Sequence, residues 1–310
     1  MYKNKKISVV VPAYNEEMLI ENTLRSIPDY IDKIYAVDDD SPDNTFKLIE
    51  EIADEDRRII PLKQEVNKGV GAAIITGYKK SLEDGIDIAV VMAGDNQMDP
   101  VYIPSLIDPI IENKADYTKG NRLLKAAHMR GMSYWRRLGN SLLTLLTKFS
   151  SGYWNIMDPQ NGYTAISRKA LETIDLDSIY PSYGYCNDLL MKLNVFSFRV
   201  MDISIPARYG KEKSKIRYSS YIIKVSWLLL GNFFYRIKMK YLFLSLNPIA
   251  FFYLAGILLI PIGLILGISE NNIFFENVFS FPILLIGLQF FLIAMLFDIQ
   301  MNNRKSGRNR

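Results

Sequence analysis

Residues 7–17 read ISVVVPAYNEE, an apolar run that passes directly into a polar loop. Ile7–Val11 is rich in β-branched side chains, which is typical of a strand buried on both faces of a parallel sheet. The run ends at Pro12, and the stretch Glu16–Ile27 that follows has the pattern of a helix. These residues therefore predict the first strand and helix of an α/β unit.

The alternation of strand and helix continues along the chain. Ser41 and Pro42 supply an N-cap and a proline at the first helical position, which predicts a helix that runs to about Glu55. A third helix is predicted from Gly69 to Leu82. The other predicted strands are short apolar runs, Ile34–Val37, Ile59–Leu62 and Ile86–Met92. This spacing predicts an α/β fold with a doubly wound sheet, in which ligands bind at the carboxyl ends of the strands.

Polar, largely acidic segments follow the four predicted strands, namely 12–17, 38–43, 67–71 and 93–100. An acidic sheet edge would repel an anionic ligand that bound to it directly. A nucleotide diphosphate can still bind there, because carboxylates accept hydrogen bonds from its base and ribose while a divalent cation binds its diphosphate. The sequence has no Gly-x-Gly-x-x-Gly after the first strand and no Walker A loop, which argues against a dinucleotide or P-loop site. The edge therefore predicts a nucleotide site with a hard cation.

Composition narrows the chemistry of the 310-residue chain. Its single cysteine, Cys186, excludes an intramolecular disulfide, and its single histidine, His128, excludes a His-rich metal centre and disfavours a Ser-His-Asp hydrolase. The net charge of +4 is unevenly distributed: residues 1–204 have 24 basic and 29 acidic residues, whereas residues 205–310 have 13 and 4. The chemistry must therefore depend on carboxylates, amides, Lys, Arg and a cation, and the last third of the chain differs from the rest.

Two uncharged stretches near the C-terminus are long enough to cross a bilayer. Pro248–Ile268 has 21 residues and Val278–Phe297 has 20, and a helix of that length covers about 30 Å. Basic residues precede the first stretch and follow the second, whereas the connecting loop, 269–277, is acidic. The positive-inside rule therefore predicts a multi-pass protein of the plasma membrane whose catalytic domain and both termini are cytoplasmic.

These features predict four parts of the chain: an α/β domain (1–215), juxtamembrane interfacial helices (216–245), two transmembrane helices (246–298) and a basic tail (299–310). Within the second part, the apolar segment 225–235 is too short to span a membrane and predicts a helix in the interface. Tyr134–Phe149 has the pattern of an amphipathic helix, for which the sequence leaves two environments open, the bilayer and the protein core.

The motifs, taken together, resemble glycosyltransferase family 2, the nucleotide-sugar transferases with the GT-A fold. The matching segments are VPAYNEE (11–17), VDDDSPDNT (37–45), NKGVG (67–71) and AGDNQ (93–97). Within the family the chain is most similar to dolichyl-phosphate mannose synthases and related polyprenyl-phosphate glycosyltransferases. That similarity includes GNR (120–122), DPQNGY (158–163) and the basic run that ends at Ser214 and Lys215. The resemblance covers about residues 5–220 and implies a Rossmann-like mixed sheet.

The resemblance also implies a donor site. Pro12, Tyr14, Glu16 and Asp39 would frame the base and ribose, with Asp38 in a supporting role and with Lys68 and Asp95 also near the nucleotide. Asp95 and Gln97 would hold Mg²⁺ or Mn²⁺ on the diphosphate. The family's metal motif usually has two aspartates, and here Ala93 replaces the first. The cation would therefore depend on Asp95, Gln97, phosphate oxygens and water.

The acceptor decides which further groups are needed. A hydroxyl acceptor needs a general base, for which Asp188 is the candidate. A lipid phosphate needs none, because its second pKa of about 6 leaves it largely dianionic at neutral pH. It needs cationic and polar groups near the membrane, and the candidates are Arg122, Arg136, Arg137, Ser214 and Lys215.

We therefore expect inverting transfer of one sugar from a UDP- or GDP-linked donor to a polyprenyl (dolichyl or undecaprenyl) phosphate in the bilayer. Asp95, Arg122 and Lys215, with Asp188 if a base is needed, are the predicted catalytic residues. Two alternatives are transfer to a hydroxyl of a lipid-linked glycan or polysaccharide, and a non-catalytic membrane scaffold, which only Ala93 favours. No nucleic-acid partner is predicted, and a homo-oligomer is left open.

Overall fold

The computed structural model describes residues 1–123, 134–206, 218–269 and 277–305. In it, the apolar run that begins at Ile7 is an interior strand of a seven-stranded mixed sheet. The strands are β1 (Ile7–Ala13), β2 (Lys33–Asp38), β3 (Ile59–Lys63), β4 (Ile88–Val91), β5 (Tyr117–Asn121), β6 (Thr164–Ser167) and β7 (Val200–Ser204). Their order in space is β3-β2-β1-β4-β6-β5-β7, and β6 is antiparallel to both of its neighbours. The predicted α/β fold is confirmed.

Helices cover both faces of this sheet. They are α1 (Ile20–Arg25), α2 (Thr45–Glu55), α3 (Val70–Glu83), α4 (Ile103–Ile111), α5 (Tyr134–Ser151), α6 (Arg168–Thr173), α7 (Tyr185–Val195) and α8 (Tyr218–Arg236). Val10 of β1 belongs to the core on the α3 side, whereas Val9 and Val11 belong to the core on the α1 and α4 side. Because both faces of β1 are buried, its sequence is a continuous apolar run rather than an alternating one.

Three elements, α1, α2 and β4, are shorter than predicted, whereas β1, β2, β3 and α3 differ from their predicted bounds by one or two residues. α1 begins at Ile20 rather than Glu16, and α2 begins at Thr45 rather than Ser41. The residues before each helix form hydrogen bonds between the two loops, as Asn15 does with Ser41 and Glu17 does with Asp43. Before α1, the Glu16 carbonyl also accepts from the Leu19 and Ile20 N–H groups. β4 is limited to Ile88–Val91, the residues that are in register with both β1 and β6.

α5 packs against the protein on one side, one of the two environments that its sequence left open, and the bilayer stays a prediction for the other side. Leu143 packs with Val225 and Leu229 of α8 in a small buried cluster. Leu142 and Leu145, on the other side of the helix, are exposed. One face of α5 therefore packs inside the protein while the other presents leucines at the surface.

The chain divides into two compact units, Met1–Asn232 and Phe233–Arg310. The predicted interfacial segment 225–235 is part of a single helix, α8, so the division falls inside it. The second unit continues with a π-helical segment (Ile237–Phe243), α9 (Pro248–Ser269) and α10 (Asn277–Lys305). Within the described residues, Pro248–Ile268 and Phe279–Asn302 are long and apolar enough to cross a membrane.

α10 continues beyond Asp298, the charged residue before which the sequence predicted the second span to end. Asp298 is buried and forms an ion pair with Arg236, with 2.8 Å between Nη1 and Oδ2. Tyr253 Oη donates to Asp298 Oδ2 at 3.2 Å, and Asn302 Nδ2 donates to Oδ1 at 2.8 Å. Because partners from α8, α9 and α10 satisfy the carboxylate, the helix can continue through this position.

Candidate active site

The loops that follow β1 and β2 are joined by hydrogen bonds from backbone to side chain. Three consecutive N–H groups donate across: Asn15 to Ser41 Oγ at 2.9 Å, Glu16 to Thr45 Oγ1 at 2.9 Å and Glu17 to Asp43 Oδ2 at 3.2 Å. Burial alone would raise the pKa of Asp43, but the hydrogen bonds from Thr45 and from Glu17 outweigh it and lower that pKa. Asp43 therefore acts as a fixed anionic anchor between the two loops.

The same edge of the sheet has three non-glycine residues with left-handed backbone conformations. Asn15 follows β1, Asp40 follows β2 and Asn96 follows β4, with φ values of 59°, 59° and 55°. Asn and Asp tolerate this region better than other side chains do. The Asn or Asp at each of these positions thus allows the loop to turn sharply at the carboxyl end of its strand.

Asp38 and Asp39, at the end of β2, hold the surrounding loops. Asp38 is fully buried, and its Oδ2 accepts from the Ser41 N–H at 3.1 Å. Asp39 Oδ1 accepts from the Lys68 N–H at 2.9 Å, and Oδ2 accepts from the Gly69 N–H at 2.8 Å. Burial raises the pKa of Asp39, although the two N–H groups oppose the shift. Lys68 thus contributes its backbone at this point.

A cavity of about 390 Å³, the first cavity, opens at this edge. Its lining includes five residues predicted for the donor site, Pro12, Tyr14, Glu16, Asp39 and Asp95. It also includes residues that the sequence reasoning did not assign, Asn67, Ser182 and Tyr183. Asn67 lies in the quoted NKGVG motif, whereas Ser182 and Tyr183 come from a distant segment without a recognisable signal.

A second cavity, of about 360 Å³, is lined by Asp95, Gln97, Met98, Asp99, Tyr102, Arg122, Asn161, Tyr163, Ile205 and Pro206. Asp95 lines both cavities. The Gln97 N–H donates to Asp95 Oδ1 at 3.1 Å, so the two predicted metal ligands lie in one tight turn. The turn after β4 therefore contributes to both cavities.

Arg122 reaches the second cavity from the end of β5, where it is paired with Asp158. Nε lies 2.8 Å from Oδ2 and Nη2 lies 3.1 Å from Oδ1, and the Arg122 N–H also donates to Oδ2, at 3.2 Å. The Asp158 side chain is 5% exposed and that of Arg122 is 34% exposed. The sequence reasoning missed this partner, although the polar DPQNGY motif contains it.

A second buried carboxylate, Asp202 of β7, connects the same elements. It accepts from the Met157 N–H at 2.8 Å and from Asn121 Nδ2. Burial raises the pKa of Asp202 to about 6, against the lowering effect of Met157, Asn121 and Lys119, while Asp158 adds to the rise. Lys119, fully buried in β5, donates to the Asn161 carbonyl. The residues that flank Arg122 are thus held by a buried polar network.

Asp188 has a different environment. It lies in the first turn of α7, paired with Lys192, and its Oδ2 accepts from the Tyr180 N–H at 2.9 Å. Among the described residues, those that line the two cavities do not include Asp188. Its role as a general base stays a prediction.

Four predicted acceptor residues cannot be placed against these cavities. Ser214 and Lys215 lie outside the described residues. Arg136 and Arg137 lie in α5, but their side chains are outside the described part of the structure.

The described residues contain no group of three or more His, Cys, Asp or Glu side chains that could hold a metal ion. Asp95 and Gln97 nevertheless offer a carboxylate and an amide oxygen in one turn, beside cavities open to a ligand. Mg²⁺ accepts such a set, because it is bound through one or two carboxylates plus phosphate and water. Asp95 and Gln97 therefore fit a cation whose remaining ligands would be phosphate oxygens and water.

Comparison with known proteins agrees with this architecture. The chain is 34% identical over 210 residues to UDP-N-acetylglucosamine--dolichyl-phosphate N-acetylglucosaminyltransferase of Methanococcus voltae, covering 62% of this chain and 83% of that one. It is 30% identical over 210 residues to dolichol-phosphate mannosyltransferase of Pyrococcus furiosus, covering 66% and 56%. The second match thus spans little more than half of the Pyrococcus protein.

A solved structure shares the fold. Glucosyl-3-phosphoglycerate synthase from Mycobacterium tuberculosis, in complex with Mn²⁺ and UDP-glucose, superposes with a TM-score of 0.53 at 22% identity, over 75% of this chain and 79% of that one. The family profile described as Glycosyl transferase family 2 matches residues 8–175. That region contains β1 to β6 and both Asp95 and Arg122, and the chain therefore belongs to glycosyltransferase family 2.

Proposed function

We propose that this protein transfers one sugar from a nucleotide diphosphate donor to a polyprenyl phosphate. The observation that carries the proposal is the position of Asp95, which lines both cavities. The first cavity has carboxylates, an amide and exposed tyrosine rings, which suit a nucleoside. The second contains Arg122, a guanidinium suited to a phosphate. A donor in the first cavity and an acceptor in the second would meet at Asp95.

The relatives support this acceptor class. Their names include dolichyl-phosphate, dolichol-phosphate and, in Micrococcus luteus, undecaprenyl-phosphate glycosyltransferases. The named sugars differ among them, N-acetylglucosamine in one and mannose in the others. The proposal is therefore specific about the acceptor and leaves the sugar and the base to experiment.

The acceptor phosphate would act as the nucleophile without a protein base. One of its oxygens forms a bond to the anomeric carbon while the bond from that carbon to the diphosphate oxygen breaks, and the nucleoside diphosphate leaves with that electron pair. The configuration at the anomeric carbon is inverted. Arg122 would orient the incoming phosphate, and Asp158 would hold the guanidinium in the second cavity.

A divalent cation, Mg²⁺ or Mn²⁺, would be held by Asp95 and Gln97 and would neutralise charge on the diphosphate. In this turn Asp95 is oriented by the Gln97 N–H, so the carboxylate needs little rearrangement to bind. Because Ala93 has replaced the other usual aspartate, we expect retention of the cation to depend on the bound nucleotide.

We also propose that α9 and the 279–298 part of α10 cross the membrane, with 299–310 as a basic tail. The basic residues before α9 and after residue 303 would then lie on the cytoplasmic side together with the catalytic domain. This arrangement would keep the donor in the cytoplasm and bring the enzyme to its lipid acceptor.

The alternative of a hydroxyl acceptor requires a base near the anomeric carbon. Asp188 is paired with Lys192 and is 5% exposed, an environment that disfavours proton transfer with a substrate. The alternative of a scaffold is disfavoured by the presence of Gln97 and Arg122 in the second cavity, together with Asp95, which both cavities share. The phosphate acceptor therefore fits the geometry best.

The test uses the full-length protein purified in detergent, with radiolabelled UDP- and GDP-sugars, MgCl₂ or MnCl₂, and undecaprenyl or dolichyl phosphate. We expect label to enter the lipid fraction with at least one donor and to be released from it by mild acid. If no common donor puts label into the lipid fraction, the phosphate-acceptor proposal is wrong.

A further inference from the structure

The segment 178–184, between β6 and α7, packs directly on the start of α3. The Ala72 N–H donates to the Pro181 carbonyl at 2.9 Å. A Cβ on Gly71 would lie 2.6 Å from the Tyr180 carbonyl oxygen, and a Cβ on Gly69 would lie 2.8 Å from the Pro181 carbonyl oxygen. The NKGVG motif therefore has two glycines because this segment approaches its backbone closely.

A buried ion pair holds the segment in that place. Asp188 and Lys192 are one turn apart in α7, and their side chains are 5% and 10% exposed. Asp188 Oδ2 accepts from the Tyr180 N–H at 2.9 Å, while Lys192 Nζ donates to the Ser178 carbonyl at 2.9 Å. Each member of the pair thus anchors one point of the segment's backbone.

The anchored segment places two side chains, Ser182 and Tyr183, on the first cavity. Tyr183 is 52% exposed and Tyr14, from the loop after β1, is 43% exposed, and both residues line this cavity. Large aromatic rings that are held at a cavity but left half exposed offer their faces to a flat ligand. A nucleotide base is such a ligand.

We propose that the segment 178–184 is a wall of the nucleotide site, in which Tyr183 contacts the nucleoside and the Asp188–Lys192 ion pair is a positioning device rather than a source of general base catalysis. This inference rests on the proposed function, since it assigns the nucleotide to the first cavity. It adds a donor-binding residue outside the family motifs and assigns a structural task to Asp188.

The first experiment measures binding of UDP and GDP to the full-length protein by titration calorimetry with MgCl₂ and no lipid acceptor. Tyr183→Ala should weaken the nucleotide that the wild type binds by roughly 5- to 100-fold, the range for loss of one aromatic stack on a base. Tyr183→Phe, which keeps the ring, should stay within about twofold. Phe196→Ala, at the other end of α7, is the matched control for loss of an exposed ring.

If Tyr183→Ala binds the nucleotide as well as the wild type does, Tyr183 is not a donor contact. If the wild type binds neither nucleotide, the proposed function fails as well, which is a different result.

The second experiment separates positioning from base catalysis in the sugar-transfer assay. Asp188→Asn should raise the KM for the donor with kcat within about threefold, whereas loss of a general base would lower kcat by about 100- to 10,000-fold. Because the single change leaves Lys192 buried without its partner, the double variant Asp188→Asn/Lys192→Gln is also measured. An amide pair can restore the hydrogen bonds, so donor KM should recover in the double variant. A kcat that stays 100-fold low in both variants would overturn the positioning role.

Discussion

Arg122 and Asp158 form a bidentate ion pair in which Nε lies 2.8 Å from Oδ2 and Nη2 lies 3.1 Å from Oδ1. The carboxylate is almost fully buried, whereas the Arg122 side chain is about one third exposed and lines the second cavity. A bidentate ion pair limits the rotation of the arginine side chain, and the guanidinium keeps its positive charge. Arg122 is therefore presented to the cavity in one orientation.

Replacement of Asp158 by asparagine should weaken the acceptor site. The amide side chain would keep one oxygen acceptor but lose the charge and the bidentate geometry, so the guanidinium would be free to leave the cavity. We expect the KM for polyprenyl phosphate to rise about tenfold, equivalent to about 1.4 kcal/mol, with donor KM unchanged. Steady-state kinetics with varied lipid phosphate measures this.

The chain contains a matched control for that variant. Asp116 pairs with Arg199 in the same bidentate way, at 3.0 Å and 3.1 Å, but joins the starts of β5 and β7. Asp116→Asn should lower folding stability to a similar extent without changing the acceptor KM. An equal change in acceptor KM for both variants would show that the effect of Asp158 is only structural.

The turn that contains Asp95 and Gln97 should carry the dependence on a divalent cation. Asp95→Asn should lower transfer by about 100-fold or more, because it removes the only carboxylate that we assign to the cation. Mn²⁺ bound in the presence of nucleotide, measured by electron paramagnetic resonance, should fall in parallel. Asp99→Asn is the control, since Asp99 lines the same cavity but its Oδ1 caps the turn at Val101. Normal Mn²⁺ binding by Asp95→Asn would contradict the assignment.

Asp202 should make the folding stability depend on pH. Burial raises its pKa from an ordinary 3.8 to about 6, so between these values the folded protein holds a proton that the unfolded chain has released. The stability that Asp202 contributes is therefore present at low pH and is lost as the pH rises through about 6, by at most about 3 kcal/mol.

Thermal denaturation at pH 5 and pH 7.5, in detergent, tests this dependence. Asp202→Asn should reduce the loss of stability between these two pH values, since the amide does not titrate. Asp54→Asn, at an exposed position in α2, should leave the loss as it is in the wild type. An unchanged pH dependence in Asp202→Asn would show that other groups cause it.

The two candidate membrane helices should be sensitive to a single methyl group where their backbones touch. A Cβ on Gly263 would lie 2.7 Å from the backbone nitrogen of Leu284, whereas a Cβ on Gly267 would lie 3.9 Å from Ser280. Gly263→Ala should destabilise the helix pair by about 1–3 kcal/mol, because backbone cannot move aside as a side chain can. Gly267→Ala should be neutral or slightly stabilising. Melting of both variants in detergent, followed by circular dichroism, would show equal stability if this packing were wrong.

Short stretches of the sequence predict the first strand, the two long apolar helices and the edge of the sheet at which the carboxylates lie. The run 7–17 predicts a buried strand and the polar loop at its end, since burial on two faces demands an apolar side chain at nearly every position. The lengths of the two apolar stretches predict helices that can cross a bilayer, since 1.5 Å per residue sets their reach. The motifs at 37–45 and 93–97 place carboxylates at one edge, since parallel strands all end there.

The tertiary structure alone decided which of these groups meet. The antiparallel β6 brings the 158–163 segment beside the end of β5, and so pairs Asp158 with Arg122, 36 positions away. The approach of 178–184 to Gly69 and Gly71, and the burial of Asp188 with Lys192, depend on the same chain path. A sequence pattern records the surroundings that one residue needs, buried or exposed, helical or extended. It does not record which distant residue supplies them, because that is settled only when the whole core packs together.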